Sequence, residues 1–139
     1  MSIKLKASIE NFQQFQDFIE ESLFELSPGG FSFVKVLIVC EEIIVNICKY
    51  AYKDIPEMDE AYLEINIFTE ENLLKIVFMD EGREFNPVQF DRDNRDLPIE
   101  KKEIGGLGLI MIKEFVDNIS YEYKDNKNIL MIEKELDDV

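Results

Sequence analysis

Histidine is absent from the 139 residues, and this absence excludes several kinds of chemistry at once. A Ser-His-Asp triad, a Cys-His pair and a zinc site with histidine ligands all need an imidazole. A phosphohistidine cannot form on these residues, for the same reason. The two cysteines, Cys40 and Cys48, lie on one predicted helix, about 12 Å apart along its axis. That separation is too long for a disulfide, so we expect both to be reduced core side chains.

Positive charge is scarce: 15 lysines and arginines face 30 acidic residues, for a net charge of −15. The basic surface that nucleic acids require is missing, and an anionic membrane surface would repel the chain. No apolar run is long enough to span a membrane. The N-terminal "MSIKLKASIENF" lacks the apolar segment of a signal peptide. We therefore expect a cytoplasmic protein that binds neither nucleic acid nor membranes.

The length fits a single domain covering residues 1–139. Hydrophobic periodicity predicts five strands and three helices. The strands are predicted at 2–8, 61–70, 73–80 and twice within 120–136, and the helices at 9–26, 32–52 and 107–119. Hairpin-linked strands beside separate helices favour an α+β fold, with helices on one face of a mainly antiparallel sheet. The polar stretch 81–108 lacks periodicity, which is typical of a lid or of a disordered segment.

The helix predicted at 32–52 is apolar nearly all round, yet it carries Glu42 and Asn46. Such a helix is usually buried, and buried carboxylates and amides are costly unless they are partnered. Positions i and i+4 project from the same helix face, so the two side chains form a pair. In isolation, the simpler explanation is a pair satisfied by the backbone of a neighbouring loop.

Two glycine motifs follow. "DEG", residues 80–82, closes a strongly apolar strand, and Gly82 allows the backbone to turn tightly. "GGLG", residues 105–108, opens a helix, where consecutive N–H groups suit an anion. Each motif alone also fits an ordinary turn or hinge. Their order along the chain, after the Glu42–Asn46 pair and around a long loop, is far more specific than any single motif.

In this order the motifs resemble those of the GHKL ATP-binding family, whose fold is the Bergerat fold. "EEIIVNICKYAY" is similar to its N box, "DEGREFNP" to its first glycine box and "GGLGLIMIKEFVD" to its second. The likeness is closest to the anti-sigma-factor serine/threonine kinases, with Tyr50 in place of a histidine, and it spans essentially the whole chain. It implies a two-layer sandwich whose mixed sheet is mainly antiparallel.

The resemblance also implies roles for particular residues. Asn46 would bind Mg²⁺ that bridges the nucleotide phosphates, and Glu42 would accept a proton from the attacking hydroxyl. Asp80 would accept the adenine amino group, and Gly82 would make room for the base. Lys49 is placed like the lysine that approaches phosphate in histidine kinases.

The second glycine box and the loop before it would complete the nucleotide site. Gly105, Gly106 and Gly108 would place backbone N–H groups near the phosphates, and residues 85–104 would form the ATP lid. One departure concerns Asn128 and Ile129, which stand where many relatives have Gly-Thr. This departure is expected to weaken a supporting contact to adenine.

The resemblance implies a kinase that uses ATP and Mg²⁺ to phosphorylate a STAS-like anti-sigma-factor antagonist. It also implies a homodimer and a possible second role in sequestering a sigma factor. One alternative is an ATP-binding partner switch without significant kinase activity. Glu42 favours the kinase, because holding a nucleotide needs no base. The catalytic domain of a histidine kinase is a third possibility, but those proteins carry asparagine at the position of Glu42.

Overall fold

A computed structural model describes residues 1–26, 34–53, 61–88 and 109–136. Their strands form one five-stranded sheet of order β1-β2-β3-β5-β4, and each neighbouring pair is antiparallel. The strands are β1 (Ser2–Lys6), β2 (Tyr62–Glu70), β3 (Leu73–Asp80), β4 (Asn118–Lys124) and β5 (Lys127–Glu135). The α+β prediction is therefore confirmed, and the described strands pair only in the antiparallel sense.

Three α-helices in the described part of the chain accompany the sheet. They are α1 (Phe12–Leu26), α2 (Val34–Asn46) and α3 (Leu109–Phe115). A 3₁₀ turn at Ile9–Asn11 leads into α1, and the Ser8 hydroxyl oxygen caps this turn by accepting a hydrogen bond from the Glu10 N–H at 3.3 Å. No helix of the described residues is long and apolar enough to cross a membrane.

The helix α2 does not end at Asn46 but continues as a π-helical turn, Ile47–Ala51. A π turn is rare, and it is found most often at functional sites. It carries the chain past the end of the sheet. Tyr52 then fastens this end to β2, because its hydroxyl donates to the Tyr62 carbonyl at 2.6 Å.

One core lies between the helices and one face of the sheet. Along β3 every second side chain is buried, and the buried row ends in a carboxylate. That row is Leu74, Ile76, Phe78 and Asp80. Helices α1 and α2 and the π turn cover it with spaced apolar side chains, including Phe15, Ile19, Leu23, Val39, Ile43 and Ile47. Strand alternation therefore directs the Asp80 carboxyl group toward the helices.

The hairpin β4–β5 turns through Asp125 and Asn126, whose φ angles are 56° and 64°. Two successive positive φ angles are typical of the two-residue turns that connect antiparallel strands tightly. The turn lies within residues 120–136, where the sequence predicts two strands. Strand β5 then pairs with β3 so that Asn128 lies directly opposite Asp80. This register supplies a second polar side chain at the end of the buried row.

Candidate functional site

The Glu42–Asn46 pair lies where α2 meets the loop that follows β3. Asn46 is 7% exposed, and its Nδ2 donates to Glu42 Oε1 at 3.5 Å and to the Pro87 carbonyl at 3.1 Å. The contact with Pro87 is the backbone partner that the simpler explanation of the pair predicts. Both contacts use the Nδ2 donors of the amide, however, and Asn46 Oδ1 makes no hydrogen bond to a described residue.

The loop from Glu81 to Val88 is fastened to the end of α2. The Arg83 N–H donates to the Ala51 carbonyl at 3.0 Å, and the Glu81 N–H donates to the Tyr52 hydroxyl at 2.9 Å. A Cβ on Gly82 would lie only 2.2 Å from the Ala51 carbonyl oxygen. Glycine is therefore required here for the loop to pack against the π turn.

Asp80 presents one bonded and one open carboxylate oxygen. It is 3% exposed, and its Oδ1 accepts hydrogen bonds from the Gly82 N–H at 2.9 Å and from Asn128 Nδ2 at 2.8 Å. Its Oδ2 makes no hydrogen bond to a described residue. Burial raises the pKa of Asp80 to about 6, although both hydrogen bonds act in the opposite direction, and the charge of Glu81 raises it further. The ionised form of Asp80 is therefore unfavourable in the folded state, and its Oδ2 remains available as an acceptor.

Asn128 is the residue of the site whose partners sequence reasoning did not identify. Its Nδ2 donates to Asp80 Oδ1 and to the Arg83 carbonyl, both at 2.8 Å. Its Oδ1 accepts from the Phe85 N–H and from the Tyr121 hydroxyl. Asn128 therefore supports Asp80 directly, and its effect on the contact to adenine stays a prediction. A polar residue facing inward at the start of β5 was visible in the sequence, but its partner depended on the strand register.

The other residues that the sequence singles out are Tyr50, Lys49 and the glycines of the second glycine box. Tyr50 packs against the loop residue Phe85, with ring centroids 6.0 Å apart and planes inclined by 49°. Lys49 is exposed on the π turn and makes no ion pair with a described residue. Gly105, Gly106 and Gly108 lie outside the described residues.

The predicted lid, residues 85–104, is described only for its first four residues. Pro87 and Val88 are buried, and the Val88 N–H donates to Asn86 Oδ1 at 3.1 Å. These residues form the root of the segment and are packed into the core. The positions from 89 to 104 lie outside the described residues, so the rest of the lid stays a prediction.

A pocket of about 110 Å³ lies beside the end of β3. Its lining includes Lys4, Glu64 and Met79, which alternate with the buried row of the sheet. Tyr52, Asp80 and Glu81 also line it, whereas Glu42 and Asn46 do not. The pocket therefore adjoins the Asp80 end of the arrangement described above.

Three oxygen-bearing groups thus converge around one loop: Asp80 at the end of β3, and Glu42 and Asn46 on α2. The described residues contain no group of three or more histidine, cysteine or acidic side chains arranged to hold a metal. Asn46 Oδ1 alone could supply one neutral oxygen ligand. This suits Mg²⁺, which commonly takes few protein ligands and completes its shell with water and substrate phosphates. The residues therefore fit a nucleotide with its metal.

Comparison with known proteins identifies the family. The family model described as the histidine kinase-like ATPase domain matches residues 5–134, so the chain belongs to that family. Over 94 residues, or 68% of this chain, it is 24% identical to a protein described as an NtrY-like sensor histidine kinase of Rickettsia bellii (strain RML369-C). The chain spans only 15% of that relative's length.

The chain is also similar to solved structures. The structure of the RsbU and RsbW domains of Rv1364c from Mycobacterium tuberculosis superposes with a TM-score of 0.61 and 12% identity, covering 98% of this chain and 32% of that chain. The nucleotide-free catalytic domain of the histidine kinase ThkA gives a TM-score of 0.46 and 10% identity, covering 98% and 97%. The first of these similarities shows a shared fold.

Proposed function

We propose that this chain is an ATP-dependent serine/threonine protein kinase of the anti-sigma-factor type. Its substrate would be a hydroxyl group on a small STAS-like antagonist protein, and its second partner would be a sigma factor. The observation that carries the proposal is the position of Glu42 beside Asn46. A carboxylate able to accept a proton lies 3.5 Å from an amide whose remaining oxygen is open to a metal.

Asp80 would recognise the adenine. Its Oδ2 is the open acceptor at the buried end of β3, and an adenine amino group can donate to it, whereas guanine presents a carbonyl oxygen at that position. Two donors already hold Oδ1. The carboxylate therefore cannot turn to offer a different oxygen without breaking a hydrogen bond, which favours discrimination between the bases.

Asn46 and Glu42 would serve the phosphate end of the nucleotide. Asn46 Oδ1 would hold Mg²⁺, which supplies positive charge against the phosphates when it is bound. The acidic chain makes this charge important, because its own carboxylates repel a polyanion. Glu42 would accept the proton of the attacking hydroxyl, since phosphoryl transfer depends mainly on positioning and on charge neutralisation. Lys49, Gly105, Gly106 and Gly108 are proposed to approach the phosphates, and residues 85–104 to close over them.

A mixing assay tests this function. The purified chain is incubated with ATP labelled on the γ-phosphate, Mg²⁺ and a candidate antagonist encoded nearby, and label on the antagonist is measured. We expect transfer to serine or threonine that is stable to acid and is lost when Mg²⁺ is chelated. Labelling that is acid-labile, as phosphohistidine is, would instead favour a histidine kinase domain.

The alternative of a partner switch without phosphotransfer has its own outcome. In that case no candidate antagonist is labelled, yet a sigma factor binds more tightly in the presence of ATP than in its absence. Glu42→Gln separates the two functions in one protein. Under the kinase proposal this variant binds ATP but does not label the antagonist, whereas under the switch it behaves as the wild type in both measurements.

A further inference from the structure

Asn128 uses every hydrogen-bonding position of its side chain. An amide has two N–H donors and two acceptor lone pairs. The donors go to Asp80 Oδ1 and the Arg83 carbonyl, and the oxygen accepts from the Phe85 N–H and the Tyr121 hydroxyl. The side chain is 2% exposed, so water does not compete freely for these contacts.

The orientation of this amide follows from its partners. If its oxygen and nitrogen were exchanged, the oxygen would face the Asp80 carboxylate and the Arg83 carbonyl. The NH₂ group would then face the Phe85 N–H. Three of the four contacts would become repulsive, so only the observed orientation is compatible with its surroundings.

The four contacts join parts of the chain that are far apart in sequence. Asp80 ends β3, Arg83 and Phe85 belong to the loop root, and Tyr121 lies on β4. We propose that Asn128 is the positioning residue that holds Asp80 with Oδ2 directed at the base and ties the loop root, residues 83–88, to that carboxylate. Base binding and the position of the loop root are then coupled through one amide. The inference depends on the proposed function for the identity of the ligand.

Coupling follows from the shared donor group. A base that pulls on Asp80 Oδ2 moves Oδ1, and Oδ1 shares the Asn128 NH₂ group with the Arg83 carbonyl. The same amide holds the Phe85 N–H at 2.9 Å. Two residues later, the Pro87 carbonyl receives the Asn46 amide. The path from the base acceptor to the proposed metal ligand thus consists of hydrogen bonds and a single short loop.

The test compares Asn128→Ala and Tyr121→Phe with the wild type. Calorimetry of ATP binding with Mg²⁺ should show an affinity roughly 10–100-fold lower for Asn128→Ala, the usual effect of losing a hydrogen bond to a charged group. Tyr121→Phe removes one contact to Asn128 at a half-buried site and should fold normally. Its affinity should fall by roughly 2–10-fold. Tyr123→Phe, two residues along the same strand, is the matched control and should bind as the wild type does.

A pH profile distinguishes positioning from a general structural defect. The titratable groups that act on Asp80 are Glu81 on the loop, Tyr52 after α2 and Tyr121 on β4. The charged residues that line the same pocket are Lys4 on β1, Glu64 on β2 and Lys127 on β5. The Asn128 amide donates to the ionised form of Asp80, so removing it raises the pKa of that carboxyl group further. The acid limit of ATP binding should therefore move to higher pH in Asn128→Ala. A structural defect would lower affinity by the same factor at every pH.

Hydrogen exchange at the Phe85 amide tests the coupling itself. In the wild type this exchange should slow when ATP binds, and in Asn128→Ala it should be fast with and without ATP. Unchanged ATP affinity in a folded Asn128→Ala protein, or an unshifted acid limit, would overturn the inference and leave the proposed function intact. Absence of ATP binding by the wild type would overturn both.

Discussion

Substituting Asp80 by asparagine should make the ligand-free protein more stable while it impairs nucleotide binding. Burial raises the pKa of Asp80 from its ordinary value of 3.8 to about 6. In the folded state the carboxyl group therefore holds its proton over a pH range in which the unfolded chain has already released it. Each pKa unit corresponds to about 1.4 kcal/mol, so ionised Asp80 costs the folded state roughly 3 kcal/mol.

The sign of the pH dependence follows from this raised pKa. Below about pH 4 the group is protonated in both states and costs nothing. As the pH rises toward 6 the folded state binds more protons than the unfolded state, so the Asp80 contribution to stability falls. Above pH 6 the loss is complete. The difference in unfolding free energy between Asp80→Asn and the wild type should thus grow from near zero at pH 4 to at most about 3 kcal/mol at pH 8.

Urea denaturation of both proteins at several pH values measures this difference directly, because the other acidic groups cancel in the comparison. Glu81→Gln is the matched control: it removes the same charge one residue away from an exposed side chain, and should change stability by less than about 0.5 kcal/mol. Calorimetry should then show that Asp80→Asn binds ATP roughly 10–100-fold more weakly. A stability difference that does not vary with pH would refute the burial argument, and equal ATP affinity would remove Asp80 from the site.

Three further outcomes are expected. Glu42→Gln should keep its ATP affinity but transfer phosphate roughly 10²–10⁴-fold more slowly, while Asn46→Ala should weaken binding of ATP with Mg²⁺. Both variants must first match the wild type in thermal melting without ligand. A wild-type transfer rate in folded Glu42→Gln would disprove the assignment of Glu42 as the base. Gly82→Ala should lower the unfolding free energy by about 1–3 kcal/mol, because its Cβ would meet the Ala51 carbonyl, and an unchanged denaturation midpoint would contradict this. Hydrogen exchange across residues 85–104 should slow when ATP and Mg²⁺ bind, and equal exchange would indicate a fixed structural loop.

The fold and one half of the site followed from local patterns in the sequence. Alternation along β3 predicts which face Asp80 occupies, and the i, i+4 spacing predicts that Glu42 and Asn46 share a helix face. These inferences need only the period of the element. They hold because burial of an apolar face fixes the orientation of every side chain on that element.

The other half of the site depended on contacts between elements. Asn128 meets Asp80 only because β5 pairs with β3 in one register, and a shift of one residue would turn Asn128 to the other face. The π turn after Asn46 is likewise invisible to hydrophobic periodicity, since Ile47 and Ala51 are buried in either kind of helix. The close approach of Gly82 to Ala51 depends likewise on how the loop packs against the π turn, and its role beside the base stays a prediction.

These contacts hold the loop from Glu81 to Val88 at both ends, between Asp80 on β3 and Asn46 on α2. At its first end, the Gly82 N–H and Asn128 saturate one oxygen of Asp80, which leaves the other oxygen open and the ionised form costly. At its far end, the Pro87 carbonyl occupies a donor of Asn46 and leaves that amide's oxygen open. In both cases the hydrogen bonds within the protein engage other atoms, so neither Asp80 Oδ2 nor Asn46 Oδ1 bonds to a described residue. The same packing that holds the loop therefore leaves both acceptors available to a ligand that supplies a donor and a cation.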